Sequence, residues 1–525
     1  MTANNLSPLT NFRYDLPAAL VVFLVALPLC LGIALASAGQ ANIFSGVIAG
    51  MVGGIVVGLL SGSPLSVSGP AAGLTTIVAA AIAQLPSFEA FLLSVFLAGV
   101  FQIAFGLLRV GFLGNFIPSA VIKGMLAAIG LILILKQLPH AVGYDKDFEG
   151  DFSFNQPDGE NTFSALRHLL DNHISWGAVI IALISLLFLF WWDAAKFRKN
   201  HFLSYLPGPL VVVVFGILAN EGFMHFAPEL AIAPEHLVSL PQPQNASEWL
   251  AQFKSPDFSL LGHQGVWSTA LTLSLVASVE TLLSIEAVDK LDPFKRNSPT
   301  NRELLAQGAG NMVSGLLGGL PVTSVIVRSS ANVDSGGRTK ASTILHGLLL
   351  LICVVAIPFL LVKIPLSALA AVLISVGYKL TKPSIFQKKW KKGLSHFVPF
   401  VLTIAAILLT DLLVGIGIGL VVGTLFVVRS NFQSAIVHVT DGNQHLIRFR
   451  KDLSFIHKSE VRSTLDKIPE GSVLILDLSK INFIDLDNAE AINDFIGVAP
   501  FKNIQVELKQ TENQKHLFAQ PQPAS

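Results

Sequence analysis

The chain has 525 residues, of which 52% are hydrophobic and only 13% charged, whereas a water-soluble domain carries about 25% charge. Water is therefore not its main solvent, and a net charge of +1 offers no general attraction to nucleic acid or to an acidic partner. The two cysteines, Cys30 and Cys353, lie far apart inside apolar runs, which argues against a disulfide framework and a zinc site.

In chain order, the first apolar run, 16–38, is too long for the core of a signal peptide and is followed by no cleavage box, so it reads as a membrane span. Twelve stretches reach bilayer-spanning length: 17–37, 43–61, 88–108, 118–137, 174–192, 203–221, 265–285, 303–320, 342–361, 366–380, 396–411 and 413–429. Two more are short and broken by Gly and Pro: SVSGPAAGLTTIVAAAIA at 66–83 and GLPVTSVIVRSSA at 319–331. Counted as half-helices they bring the total to fourteen and fall third and tenth, the third of each set of seven. Interrupted segments at matching places in two halves point to an inverted repeat with a binding site between them.

Lys and Arg concentrate in loops that share one side if the N-terminus is cytoplasmic. The loops after spans six, eight, ten and twelve carry Lys196, Arg198 and Lys199; Lys290, Lys295, Arg296 and Arg302; Arg338 and Lys340; and Lys379, Lys382, Lys388, Lys389, Lys391 and Lys392. The loop over 138–172 has only Lys146 and Arg167. This alternation supports an even number of spans, with both termini cytoplasmic in a plasma or inner membrane. Beyond span fourteen, 431–510 changes character: HLIRFR alternates, and SVLILDLSKINFIDLDNAEAINDFI reads as a strand followed by a helix. The domain expectation is thus 1–430 membrane transporter, 431–510 small cytoplasmic α/β domain and 511–525 disordered tail.

A helix that starts in mid-membrane presents unpaired N–H groups and about half a positive charge. Two such ends facing each other would hold a small inorganic anion, and charge balance favours a monovalent one. Gly69, Pro70 and Gly73 allow the turn and close backbone approach, with Ala71 and Ala72 between them; Thr75 and Thr76 add hydroxyls. Across from them Pro321 stops a helix, and Thr323 and Ser324 are candidate N-caps leading into Val325 and Ile326. Arg328 offers either a further cation for the anion or a structural partner for a membrane carboxylate. Glu280 lies inside the apolar run of span eight, where a charge costs about 2.5–3.5 kcal/mol and needs a partner or a proton. It is a candidate proton carrier or sodium ligand, so the coupling ion is H+ or Na+; the structural alternative is a salt bridge to Arg328. Lys123 and His346 also lie in apolar stretches and read as snorkelling or hydrogen-bonded groups, and Asp411 reads as a helix cap. No phosphate loop, zinc spacing or nucleophile elbow is present, so no enzymatic activity or cofactor is expected.

At these residues the chain resembles the SulP family of anion transporters, which includes sulfate, dicarboxylate and bicarbonate carriers and the animal relative prestin. The resemblance covers nearly the whole chain. It rests on DLPAALVVFLVALPLCLGIALASAG in the first span, SVSGPAAGLTTIV in the third, VASVETLLSIEAVDKLDP in the eighth, PVTSVIVRSSANVDSGGRTKAS in the tenth and LLTDLLVGIGIGLVVG at the end. It implies a seven-plus-seven inverted repeat with core and gate domains, substrate between the third and tenth half-helices beside Glu280, elevator-type alternating access, a homodimer and a cytoplasmic STAS domain. Departures are Leu29 after Pro28, where many members have Gln, Ile33 in place of an aromatic, and Val327 in place of a Ser. A site poor in side-chain donors relies on backbone N–H groups, which weakens a sulfate assignment. The segments ALPLCLGIALAS and SGSPLSVSGPAAGLT resemble the branch of the family associated with carbonic anhydrases, and that resemblance implies bicarbonate ahead of sulfate and a carbonic anhydrase partner. In the STAS-like part, Asp485, Leu486, Asp487 and Asn488 replace Asp-Ser-Ser-Gly and hold no hydroxyl, so no phosphoserine switch is expected there. Sulfate or dicarboxylate transport, a nucleobase carrier of related fold and a non-transporting anion sensor are the alternative readings.

Overall fold

The computed structural model describes residues 8–39, 42–116, 118–145, 161–162, 174–194, 207–240, 245–431, 436–511 and 517–518. The basic loop at Lys196, Arg198 and Lys199 and most of the loop over 138–172 lie outside the described residues. Two compact units divide the chain, Met1–Gly423 and Thr424–Ser525.

The first unit is helical. Among its described residues, helices of nine residues or more form two sets of seven, and the first set is α1 (Pro8–Ala38), α2 (Phe44–Val52, continuing to Leu60 through a π-turn at Gly53–Val57), α3 (Thr75–Gln84), α4 (Phe88–Leu107), α5 (Ser119–Ala141), α6 (Trp176–Ala194) and α7 (Gly208–Phe226). The second seven are α8 (Gln264–Leu291), α9 (Thr300–Leu317), α10 (Ile326–Asp334), α11 (Ala341–Ala356), α12 (Leu366–Leu380), α13 (Leu394–Leu409) and α14 (Leu412–Asn431). This is a polytopic α-helical membrane protein, with short helices third and tenth as the interrupted apolar runs predict. At 10 and 9 residues, α3 and α10 extend about 15 Å, half the hydrocarbon thickness.

Seven of the described helices are long and apolar enough to cross a bilayer unaided. Helix α9 is not among them because it is too polar; its Glu303, Gln307 and Asn311 are instead buried and hydrogen-bonded within the protein. It packs along α4 at backbone contact. A Cβ on Gly99 would lie 2.5 Å from the Gly308 carbonyl oxygen, and one on Gly308 would lie 2.7 Å from that of Gly99, the small-residue approach by which membrane helices associate without a hydrophobic driving force.

Packing sorts the helices into two groups. Helices α1, α2, α4, α8, α9 and α11 pack on one another and enclose the half-helices. Helix α5 packs against α12 and α13, and α6 against α7 and α12. Between the half-helices a two-stranded antiparallel ribbon forms, β1 (Ser68–Pro70) on β2 (Val322–Ser324), pairing Ser68 with Ser324 and Gly69 with Thr323. The two repeats thus meet through their own backbones.

The second unit holds a four-stranded sheet, β3 (Ile436–Asp441), β4 (Gln444–Phe449), β5 (Val473–Asp477) and β6 (Gln505–Lys509), in that order. The first pair is antiparallel and the other two are parallel. Helices α15 (Lys458–Leu465) and α16 (Leu486–Val498) contribute Val461, Leu465 and Ile492 to a core with Phe449, Leu474 and Leu476. Most of the tail expected to be disordered, 511–525, lies outside the described residues. Leu517 and Phe518 are the exception: the Leu517 carbonyl accepts from Asn493, and the Phe518 ring is buried in this core. Burial of an aromatic ring offsets the ordering of that short piece.

Candidate functional site

The ribbon that positions the site is held by side chains from around it. Asn311 of α9 donates to the Val322 carbonyl at 2.9 Å and accepts from the Val322 amide at 2.6 Å. Gln307 donates to the Ser68 hydroxyl at 2.7 Å, Thr281 accepts from the Ser324 amide at 3.3 Å, and the hydroxyls of Ser66 and Ser324 meet at 2.5 Å. The Val325 amide donates to the Val67 carbonyl at 2.9 Å. Each such bond to a buried backbone group removes a desolvation cost of about 1–3 kcal/mol.

From this ribbon both half-helices start without a side-chain cap. Leu74 precedes α3, and Val325 precedes α10, where Thr323 and Ser324 were the expected caps. The latter two are fully buried, with their hydroxyls bonded to the Ser324 carbonyl and to Ser66. The short 3-10 turn Ala72–Leu74 ahead of α3 is uncapped as well. Uncapped first turns leave N–H groups for a ligand and concentrate the helix dipole there.

These ends face a cavity with ≈ 40 Å³ open to the centre of a water-sized solute. Ala72, Gly73 and Thr76 line it from one half-helix and Val325, Ile326 and Val327 from the other; Glu280 and Ser284 line it from α8. Ile129 and Ile132 of α5, with Asp411 and Leu412 at the junction of α13 and α14, close the remaining side. The cavity therefore lies between the two helix groups. Glu280 is 5% exposed, and its Oε2 has no hydrogen-bond partner among the described residues. Its carboxylate stands over Gly73, where a Cβ would lie 3.1 Å from Oε1. Asp411 accepts from the Val414 amide at 2.9 Å, capping α14 as expected, and also lines the cavity.

Several expected site residues lie elsewhere. Thr75 is buried, and its hydroxyl has no hydrogen-bond partner among the described residues, while Thr76, one residue further round the helix, faces the cavity. Ala71 is buried, and Gly69 sits in the ribbon, where a Cβ would fall 2.0 Å from Nη1 of Arg328. Leu29 and Ile33 are packed in apolar cores. Arg328 is fully buried but does not line the cavity, and among the described residues it pairs with no carboxylate, Glu280 included. Its guanidinium is packed against Gly69, beside Cys30 of α1 and His346 of α11. Sequence reading missed Ser284, Ile129, Ile132 and Leu412 as cavity residues. Ser284 had a signal in its spacing, one helical turn after Glu280, and the others had none.

With this geometry in place, comparison with known proteins identifies the chain's relatives. Residues 12–405 match the sulfate permease family. The putative sulfate transporter YvdB of Bacillus subtilis is 26% identical over 92% of this chain and 88% of its own length. The bicarbonate transporter BicA of Picosynechococcus sp. is 28% identical over 83% of this chain and 74% of its own. The structure of the murine Solute Carrier 26 family member A9 anion transporter superposes with a TM-score of 0.65 at 17% identity, covering 96% of this chain and 88% of that one.

Proposed function

The chain belongs to the sulfate permease family of membrane anion transporters, and from that premise we propose that it is a secondary active carrier of bicarbonate. One observation carries this reading: two uncapped half-helix ends and Glu280 converge on a small cavity between the helix groups. The dipole ends supply roughly one positive charge, the right amount for a monovalent anion. Among the described residues no basic side chain lines the cavity, and Glu280 and Asp411 would repel the second charge of a sulfate. Arg328 adds positive potential from behind the ribbon without bonding the solute. The similarity to a bicarbonate transporter supports the same choice, and the comparable similarity to a putative sulfate transporter keeps sulfate as the second reading.

In this account the anion sits against the N–H groups around Ala72 and Gly73 and those of Ile326 and Val327. Glu280 takes up a proton, or with Ser284 a sodium ion, so that the loaded site approaches neutrality before it crosses; anion exchange is the uncoupled variant. The α5–α7 and α12–α14 group acts as the gate, and the half-helix group moves past it as an elevator. The protein works as a homodimer in the plasma or inner membrane with both termini in the cytoplasm, consistent with the lysine-rich loops. Residues 431–510 form a reduced STAS-type module, and a carbonic anhydrase on the cytoplasmic side would interconvert the cargo.

Uptake of labelled bicarbonate and sulfate into proteoliposomes, with sodium and pH gradients imposed separately, tests this. The expected result is bicarbonate accumulation that follows one of the two gradients and resists excess sulfate. Sulfate accumulation under the same gradients would replace the substrate assignment.

A further inference from the structure

The connection between α12 and α13 carries a dense run of positive charge, and its structure exceeds what a topology signal requires. Lys388, Lys389, Lys391 and Lys392 from this connection border a cavity of ≈ 520 Å³, separate from the anion site. Lys123 near the start of α5, Lys290 in the last turn of α8 and Lys379 in the last turn of α12 border it too. Orienting a loop in the membrane does not need further lysines, Lys123 and Lys290, drawn from two helices remote in sequence.

Two of these charges are neutralised: Lys290 pairs with Glu286 and Lys379 with Asp193, each at 2.8 Å. The other five have no ion pair among the described residues. Lys389 is 5% exposed, lines the cavity and has the Phe400 ring 5.9 Å from its Nζ. Lys123 and Lys389 each feel the charges of Lys290 and Lys392. Gathering like charges around a partly enclosed volume is unfavourable unless concentrated negative charge enters it. A monovalent ion would offset one of the five; a diphosphate headgroup, with one charge on each phosphate, offsets two of them in a single molecule.

Leu126, Leu291, Leu380 and Ile385 form the walls between the lysines. Tyr378 and Trp390, 44% and 62% exposed, flank them in sequence, and such rings favour the headgroup level of a bilayer. We propose that this cavity binds a multivalent phosphate ligand, supplied by the headgroup of an acidic diphosphate phospholipid of the cardiolipin class, with the lysines on the phosphates and the apolar walls against the glycerol and upper acyl chains.

The test uses full-length protein in nanodiscs of phosphatidylcholine with or without a minor fraction of cardiolipin, with retained lipid measured by native mass spectrometry. Pyrophosphate is the free-phosphate probe. Cardiolipin should be retained by the unmodified protein, and Lys123→Gln and Lys389→Gln should each reduce retention about fivefold. Lys382→Gln changes an exposed lysine of the same connection that does not line the cavity and should leave retention unchanged. Lys123 is exposed, so its variant does not depend on repacking a core. Competition by pyrophosphate would support the phosphate chemistry of the cavity. Pyrophosphate binding without cardiolipin retention would overturn the lipid source. Retention no better than for phosphatidylcholine, or an equal loss in Lys382→Gln, would overturn the site.

Discussion

In the proposed mechanism, Glu280 and Gly73 form the pair on which the chemistry turns. A carboxylate that is 5% exposed with one oxygen unpartnered holds an unfavourable charge in the membrane unless a cation or proton joins it. Glu280→Gln keeps the shape and removes that choice. Gradient-driven accumulation should be lost while anion exchange at equilibrium continues; uphill uptake by the variant would exclude Glu280 from coupling. Gly73→Val should fill the space where backbone meets solute and weaken anion binding by at least about tenfold, or roughly 1.4 kcal/mol. Unchanged affinity would place the anion somewhere else. Glu280 was legible in the sequence because a charge inside an apolar run is rare. The direction of Arg328 was not, since both the cavity and the space behind Gly69 lie within its reach and only packing selects one. Thr75 and Thr76 differ by one helical step, and which of them faces the solute depends on the rotation of α3.

Among the elements, the ribbon β1–β2 matters more than its six residues suggest, because it sets the spacing of the two half-helix ends. Asn311→Leu would leave both the amide and the carbonyl of Val322 without their side-chain partner. A loss of about 2–4 kcal/mol in unfolding stability is expected, with weaker anion affinity, measured by thermal unfolding and equilibrium binding in detergent. A second local device clasps the end of α5 to the chain ahead of α8. Asp145 lies between His140 and His236, with His236 Nδ1 at 2.5 Å. Burial alone would raise the Asp145 carboxyl, but the two histidine hydrogen bonds outweigh it and hold the carboxyl below its usual range. The bond to Asp145, opposed in part by burial, raises His236. The His236 contribution is therefore complete below the ordinary histidine value of about 6.5 and fades as pH rises through the raised value. The Asp145 contribution fades as pH falls through the depressed carboxylate value. His236→Ala should flatten the alkaline fall in thermal stability; an unaltered pH profile would show that the clasp does not contribute. The half-helices could be read from Gly and Pro breaking apolar runs, whereas the ribbon could not, because three-residue strands carry no periodicity.

At the scale of the molecule, fourteen helices in two matching sets of seven were legible from apolar lengths and from the alternation of Lys and Arg between loops. What the sequence did not disclose is which helices touch across the repeats. Ile129, Ile132, Asp411 and Leu412 come from the opposite helix group and meet the half-helices only in the folded protein; no local pattern encodes such contacts. Helix α9 reads in the sequence as an ordinary span, yet its polar residues Glu303, Gln307 and Asn311 are buried against protein. The lysine run after α12 read as an orientation signal, and only its convergence with Lys123 and Lys290 gives it a further role.

In the proposed cycle an anion occupies the cavity between the half-helix ends and is exposed to each side of the membrane in turn. The most direct measurement places Thr76→Cys, with Cys353 replaced by Ala, in liposomes and follows its reaction with a membrane-impermeant thiol reagent from inside and from outside. Reaction from both sides, slowed in each case by saturating bicarbonate, is the predicted result. Reaction from one side only, at a rate that no transported anion alters, would contradict the account.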